Sequence, residues 1–442
     1  MFAENIRDGI KFDPIEVEPC PDKPGWYRLL DGAHRWSAYK STGKDSVKVL
    51  IKELNGADPL LYAAKRAIGP KQLTEEEARD TARRAYAGNS GLNPVDIGKA
   101  IGRSRRTVDL YIADLRAATK MDKDLKIFRM NRLGIPQDRM AKRLGLDQKT
   151  IHYHLGKMAV LPNSLNTDLS QGFTVAQVAQ KHGWTEPMVW SLALEDKDDQ
   201  EGFKKLGWGL RTWDQWEFNA CDKRFGDEWP GRIPAQLIAH ILFYFSKQND
   251  LILDPMAGGG VTPDTCLALG RRCWAFDMED RSSRPEIEPH TWMHSKDQGL
   301  SWPVRSKTKP DLIIFDPPYF DKKADGYGEK SISGLSRGEY LEFLGAFFSF
   351  LKLNVKKTTL LAFINADWRN FQNRQAIEET GRKAILVDDY LEILKKTGWH
   401  RTHIVQAPMS AQRFNPGVVC AMQKKRILGV TGRYVIILKQ IK

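Results

Sequence analysis

The apolar positions of the chain fall into three successive patterns. From Phe12 to about Lys52, short strand-like runs (PIEVEP, GWYRLL, SVKVLI) alternate with turn signals, and a helical piece begins near Asp31, which predicts a small α/β unit. From about Pro59 to Glu195 the apolar residues recur at helical spacing. Thr74 to Glu77 forms a capping box that opens a helix through Tyr86, and Gly88, Asn89 and Gly91 close it. From Gly209 onward, buried strands alternate with helices, the pattern of a mostly parallel sheet.

The helical stretch contains a coarse repeat. Ile97, Gly102 and Val108 are spaced like Met140, Gly145 and Ile151, and like Val178, Gly183 and Val189. An apolar position, a glycine at a tight turn and a second apolar position form the layout of a helix-turn-helix, whose second helix can enter the major groove. Ala100, Ala141 and Ala179 supply the small side chains that crossing helices need. The candidate DNA-binding residues open the second helices: Arg103, Arg105 and Arg106 with Ser104 in the first unit, Gln148 and Lys149 in the second. Arginine forks onto guanine, glutamine onto adenine, and nearby cations neutralise phosphate. Hairpins that pack on one another are the alternative, and Thr185 and Glu186 make that the better reading of the third unit.

Composition adds limits. A length of 442 residues suggests about three domains. With 41% apolar and 28% charged residues, the chain is globular rather than disordered. A net charge of +13 favours a polyanionic partner such as nucleic acid. The first residues lack the apolar core of a signal peptide and no run is long enough to span a bilayer, so a cytoplasmic protein without membrane contact is expected. The five cysteines form no CxxC pair; free thiols are expected, and neither a disulfide framework nor a metal site.

The candidate chemistry begins in LILDPMAGGGVTPDTCLALG. An apolar strand ends in Asp254, passes through Ala257 to Gly260, and feeds a helix starting near Pro263. Glycines let a ligand approach the backbone, and the helix start offers unpaired N–H groups. A second strand, CWAFDM, ends in Asp277, 23 positions after Asp254, near the offset at which an acidic side chain accepts ribose hydroxyls. The turn lacks the lysine of a P-loop and its glycines are consecutive, which points to a nucleoside without phosphates. A third strand, DLIIFDPPYF, ends in Asp316, Pro317, Pro318 and Tyr319. The carboxylate and the Pro317 carbonyl can accept hydrogen bonds from an exocyclic amino group, and the Tyr319 ring offers a face to a planar base. Alone, the tetrapeptide would also serve as a strand-ending turn.

Asp254-Pro255-Met256-Ala257-Gly258-Gly259-Gly260 followed by Asp316-Pro317-Pro318-Tyr319 resembles the paired motifs of amino-group DNA methyltransferases dependent on S-adenosylmethionine. The resemblance runs from about Trp208 to the C-terminus. It implies a Rossmann-like α/β domain with a mostly parallel sheet and a final antiparallel strand. In it, Asp254 and the backbone of Met256 to Gly260 hold the methionyl end of the cofactor, Asp277 the ribose and Asp297 the adenine amino group. Phe225 and Pro234, in the segment that closes over the methionine part, join this set with Pro255, Thr262 and Met278. Asp316 and Pro317 would orient the target nitrogen, and Tyr319 would stack on a flipped base. Adenine N6 is the first choice; cytosine N4, or a base of RNA, is the alternative.

Residues Asp31 to Ala38 resemble the Gly-x-x-Arg box of the ParB/sulfiredoxin-like domain, which implies nucleotide contact through Gly32, His34 and Arg35. The expected organisation is a small α/β ParB-like domain at 1–58, an all-α helix-turn-helix region at 59–207 and the methyltransferase domain at 208–442. Double-stranded DNA is the expected partner, with a second copy of the chain and a nucleotide on the first domain as further candidates. From another class, a ParB-like partition or regulatory protein with an inactive methyltransferase domain is the rival.

Overall fold

The computed structural model describes the chain apart from residues 1–5, 7–11, 22, 55–57, 68–72, 89–91, 160, 293–299, 304–307, 321–330, 369–383, 410–414, 427 and 441–442. It divides into two compact units, Met1–Lys123 and Asp124–Lys442. The first unit opens with β1 (Ile15–Pro19), β2 (Tyr27–Asp31), α1 (Ala33–Ser41) and β3 (Val49–Ile51). The sheet runs β2-β1-β3, with β1 antiparallel to β2 and parallel to β3. Then come α2 (Pro59–Ala67), α3 (Glu75–Gly88), α4 (Pro94–Ile101) and α5 (Arg105–Tyr111). The capping box is present, since Thr74 and Glu77 exchange backbone-to-side-chain hydrogen bonds of 2.9 and 3.2 Å. Of the residues expected to close α3, Asn89 and Gly91 lie outside the described residues.

In the first helix-turn-helix, Asn93 and Ser104 cap α4 and α5, and Gly102 turns the chain at φ +68°. Ile97, Ala100 and Val108 are fully buried at the crossing. A Cβ on Gly98 would come within 2.6 Å of the Arg103 carbonyl, so the backbone of the turn lies directly on α4 there.

α6 (Ala113–Arg132) crosses the boundary between the units. It is followed by α7 (Gln137–Leu144), α8 (Gln148–Met158), α9 (Leu161–Ser170), α10 (Val175–His182), α11 (Glu186–Ala193), α12 (Asp199–Leu206) and α13 (Ala235–Phe245). The alternating part comprises β4 (Leu251–Asp254), α14 (Val261–Ala268), β5 (Arg272–Asp277), β6 (Ile287–Pro289), β7 (Leu312–Phe315), α15 (Arg337–Asn354), β8 (Leu360–Ala366), α16 (Val387–Lys396), β9 (Trp399–Gln406), α17 (Pro416–Lys425) and β10 (Arg433–Gln440). The sheet order is β6-β5-β4-β7-β8-β10-β9, and β10 alone is antiparallel to its neighbours.

Period-two alternation separates two cores. Ile252, Ile314, Ala362, Ile364, Val435 and Ile437 face one way; Leu253, Ile313, Phe315, Leu361, Phe363 and Ile436 face the other, against Phe343 and Phe347 of α15. The first face is covered by helices from the stretch expected to stand apart at 59–207. Met140, Ile151, Val178, Val189 and Phe203 are buried in the same core as Ile252 and Ile314. Arg129 forms buried ion pairs with Asp264 and with Glu286, the latter at 2.8 Å, and Arg271 pairs with Asp199. The helices from residue 124 to Leu206 therefore form a layer of the sheet's own unit, which begins at Asp124. In the third repeat, Pro187, Met188, Val189 and Leu192 of α11 are buried against α14, which occupies the face that would have to meet a groove.

Candidate functional site at the carboxyl edge of the sheet

β4, β5 and β7 are parallel neighbours, so their last residues arrive at one edge about 5 Å apart from strand to strand. Asp254 ends β4 and is buried; its Oδ1 accepts the Met256 N–H at 3.0 Å. Burial pushes its carboxyl up to about 7, against the lowering hydrogen bonds from Thr262 and Met256, and the charges of Asp316 and Asp277 push the same way as burial. Asp277 ends β5. Its two oxygens accept the N–H groups of Gly258 at 2.8 Å and Glu279 at 3.1 Å, which ties the glycine turn to the second strand. Each carboxylate oxygen keeps a further lone pair for a ligand.

The glycines are required by what lies across them. Gly258 and Gly260 have φ of +47° and +84°. A Cβ on Gly258 would come within 2.9 Å of the Trp229 ring, and one on Gly259 within 2.8 Å of the Asp227 carbonyl. Asp227 N–H donates to Gly259 O at 2.8 Å, so residues 227 to 229 lie on the turn. Arg284 clamps it from the other side, donating to Gly260 O at 2.9 Å and pairing with Asp264, Glu286 and Asp227. Asp264 is held below the usual carboxylate range: burial opposes this, and the adjacent Arg129 and Arg284 outweigh it. Arg281 donates to Gly258 O and stands 4.5 Å from the Trp229 ring centroid. The Trp292 indole donates to Pro255 O at 2.7 Å.

Asp316 follows β7. Burial raises its carboxyl to about 7, opposed by the Tyr319 hydroxyl, which donates to Oδ1 at 2.8 Å, and by the charge of Arg433. Tyr340 donates to Pro318 O at 3.2 Å and fixes the second proline. Met256, Gly258, Met278, Asp316, Pro318 and Tyr319 retain accessible surface, whereas Asp254, Pro255, Ala257, Gly259, Gly260, Thr262, Pro234 and Pro317 are buried and shape the turns. Phe225 is fully buried, 5.0 Å from the Trp208 ring centroid. Asp297 lies outside the described residues.

The other candidates sit elsewhere. Gln148 and Lys149 are exposed at the start of α8 in the second unit. Arg105 and Arg106 are exposed at the start of α5 in the first unit, while Arg103 is turned inward onto Leu73 O at 3.0 Å and Glu75 at 3.4 Å. Arg35 is likewise committed: its guanidinium donates to Asp13 O at 2.5 Å and to Asp31 at 2.7 Å, and Gly32, at φ +95°, leaves room for it. His34 is exposed. Asp227, Arg281, Arg284, Trp229 and Trp292 were not legible as site residues. Their one sequence signal is the cluster of charge and tryptophan flanking the first two strands.

Comparison with known proteins gives this geometry a family context. Residues 128–285 match the family described as DNA methylase. The match takes in the glycine turn and Asp277 and ends before Asp316. The chain is 29% identical over 103 residues to the Type II methyltransferase M2.LlaDCHI of Lactococcus lactis subsp. cremoris, covering 22% of this chain and 38% of that protein. It is 30% identical over 103 residues to the Type II methyltransferase M2.DpnII of Streptococcus pneumoniae, with the same two coverages of 22% and 38%. A further 54 residues are 33% identical to the chromosome-partitioning protein ParB of Caulobacter vibrioides, covering 12% of this chain and 18% of that protein. The chain thus spans well under half the length of each of these relatives.

Proposed function

We propose that the chain transfers a methyl group from S-adenosylmethionine to the exocyclic amino group of a base extruded from DNA, adenine N6 ahead of cytosine N4. The observation that carries this reading is the adjacency of β4 and β7: the strand ending in Asp254 and the glycine turn lies beside the strand ending in Asp316 and Tyr319.

The residues present fit such a cofactor. Asp254, Asp277 and Asp316 gather at one edge, and among the described residues none of them has a lysine or arginine ion-pair partner. A ligand carrying an ammonium and a sulfonium would favour the ionised form of Asp254, which burial first and the charges of Asp316 and Asp277 second disfavour. Asp277 would hold the ribose hydroxyls, and the backbone at Met256 and Gly258 the methionyl end. When bound, the cofactor supplies an electrophilic methyl group on a positively charged sulfur.

The protein's part is orientation and charge. The Asp316 carboxylate and the Pro317 carbonyl accept the two N–H groups of the target amine, turning the nitrogen lone pair toward the methyl group. On accepting a methyl group the amine would give up one proton, which the Asp316 carboxylate, titrating near neutrality, can receive. Tyr319 stacks on the extruded base and recovers part of the few kcal/mol that unstacking costs. Arg105 and Arg106, with Gln148 and Lys149, hold the flanking duplex.

Incubation with tritiated S-adenosylmethionine and mixed-sequence duplex DNA, followed by digestion and identification of the labelled nucleoside, tests the reading. Label on N6-methyladenine is expected. Label on N4-methylcytosine would change the base alone, and label on RNA in place of DNA would overturn the substrate.

A further inference from the structure

The connection between β9 and β10 has no counterpart in the sequence-based reading of the chain. Because β10 runs antiparallel to β8 and β9, the chain leaves β9 and enters β10 at the same edge of the sheet as Asp316. The hairpin ladder continues past that edge, with Ala407 N–H donating to Arg433 O at 2.8 Å and Met409 N–H to Thr431 O at 2.9 Å. Asp367, just beyond β8, donates its N–H to Gly432 O at 3.0 Å and ties the hairpin to the neighbouring strand. Ile436 stands opposite Phe363, which stands opposite Phe315, so the root of the hairpin at Arg433 lies two strands across, about 10 Å, and three residues farther along, about 10 Å, from the residue that precedes Asp316.

The helix carried by this hairpin, α17, buries none of its residues. A ten-residue helix is marginal in water and is ordinarily held by an apolar face packed on a core. Here Val418 and Val419 are exposed. The segment Asn415–Arg426 has no acidic residue, and Lys424, Lys425 and Arg426 stand exposed together at its end. They also suit the negative end of the helix dipole, but that accounts for a local stabilisation and not for an uncovered helix on a connection rooted at the catalytic edge. A cationic, acid-free surface at this place complements a phosphate backbone.

We infer that α17, carried on the connection from β9 to β10, is a docking surface for duplex DNA on the side of the sheet where the base is extruded, with Lys424, Lys425 and Arg426 on the phosphates. The inference rests on the methyl-transfer reading for the position of that base. It gives the catalytic unit a second DNA contact, additional to Gln148 and Lys149 of its helix-turn-helix repeat.

The full-length chain with Lys424→Ala and Lys425→Ala together provides the test. Duplex affinity is measured from about 50 to 200 mM salt alongside kcat/KM for methylation of the same duplex. The slope of log affinity against log salt should become shallower by about 2, one unit per phosphate contact, and affinity near 150 mM salt should fall about tenfold. Melting temperature and affinity for S-adenosylmethionine should match wild type, which separates lost contact from lost fold. An unchanged salt slope overturns the inference, as does a wild-type chain that does not bind duplex DNA. A chain that labels no base yet loses the two units of slope in the variant fails the methyl-transfer reading and keeps the docking surface.

Discussion

The hydroxyl of Tyr319 donates to Oδ1 of Asp316 across 2.8 Å, so the residue assigned to stack on the base also sets the charge of the residue assigned to the amine. That bond lowers the Asp316 pKa against the larger effect of burial, which leaves it at about 7.

Methylation should therefore rise with pH through about 7, as Asp316 ionises. Tyr319→Phe keeps the ring and removes a bond that favours the carboxylate, so the midpoint of the kcat profile should move to higher pH. A midpoint that stays in place would take Asp316 out of that titration. Asp316→Ala should lower kcat by about 1000-fold or more, with cofactor affinity within about tenfold of wild type.

Asp254 carries a stability prediction. Its folded pKa of about 7 lies above the ordinary carboxylate value, so the folded chain holds that proton more tightly than the unfolded chain. Without cofactor, its contribution is present at low pH, declines from about pH 4 and is lost above about pH 7. Asp254→Asn can still accept the Met256 N–H and carries no charge. At pH 8 it should be more stable than wild type by about 1 to 3 kcal/mol in denaturant melts, with cofactor affinity at least tenfold weaker.

Arg284→Met would leave Asp264 and Glu286 with Arg129 as their remaining ion-pair partner among the described residues. Removing one member of a buried ionic cluster costs about 3 to 5 kcal/mol. A drop of that size in urea unfolding is expected, together with weaker cofactor binding because Gly260 O keeps the Asp264 N–H but loses its side-chain donor. A loss under 1 kcal/mol would mean that the cluster relaxes around the gap.

Arg105→Ala with Arg106→Ala should make the salt dependence of duplex binding shallower by about 2. The same slope as wild type would assign the first repeat to hairpin packing. Arg105 already has Asp109 at 3.6 Å, so Arg106 should account for the larger share.

Much of this arrangement was legible before any coordinates. Strand ends could be found because an apolar run followed by aspartate and a Gly or Pro turn has few other solutions, which located Asp254, Asp277 and Asp316. The helix-turn-helix units were legible for a similar reason: Gly102, Gly145 and Gly183 all adopt the left-handed backbone that the turn demands. The partner of an amphipathic helix is a different kind of information. The stripe at Met140, Ile151 and Val178 says that a face is buried, but not that Ile252 and Ile314 lie beneath it. Buried ion pairs leave no periodic trace either. Arg129 and Asp264 are 135 positions apart, and nothing in the spacing of either announces the other.

The interior position of β10 bears on how the sheet is completed. The last of the described strands in chain order is not an edge strand: it lies between β8 and β9, with hydrogen bonds to both. β9 therefore joins the sheet only through β10. A nascent or truncated chain ending before Arg433 would expose the backbone of β8, whose run LLAFINA is apolar and uncharged. Such an open edge invites pairing with another chain, which makes the arrival of β10 the step that separates a closed sheet from an aggregation-prone one.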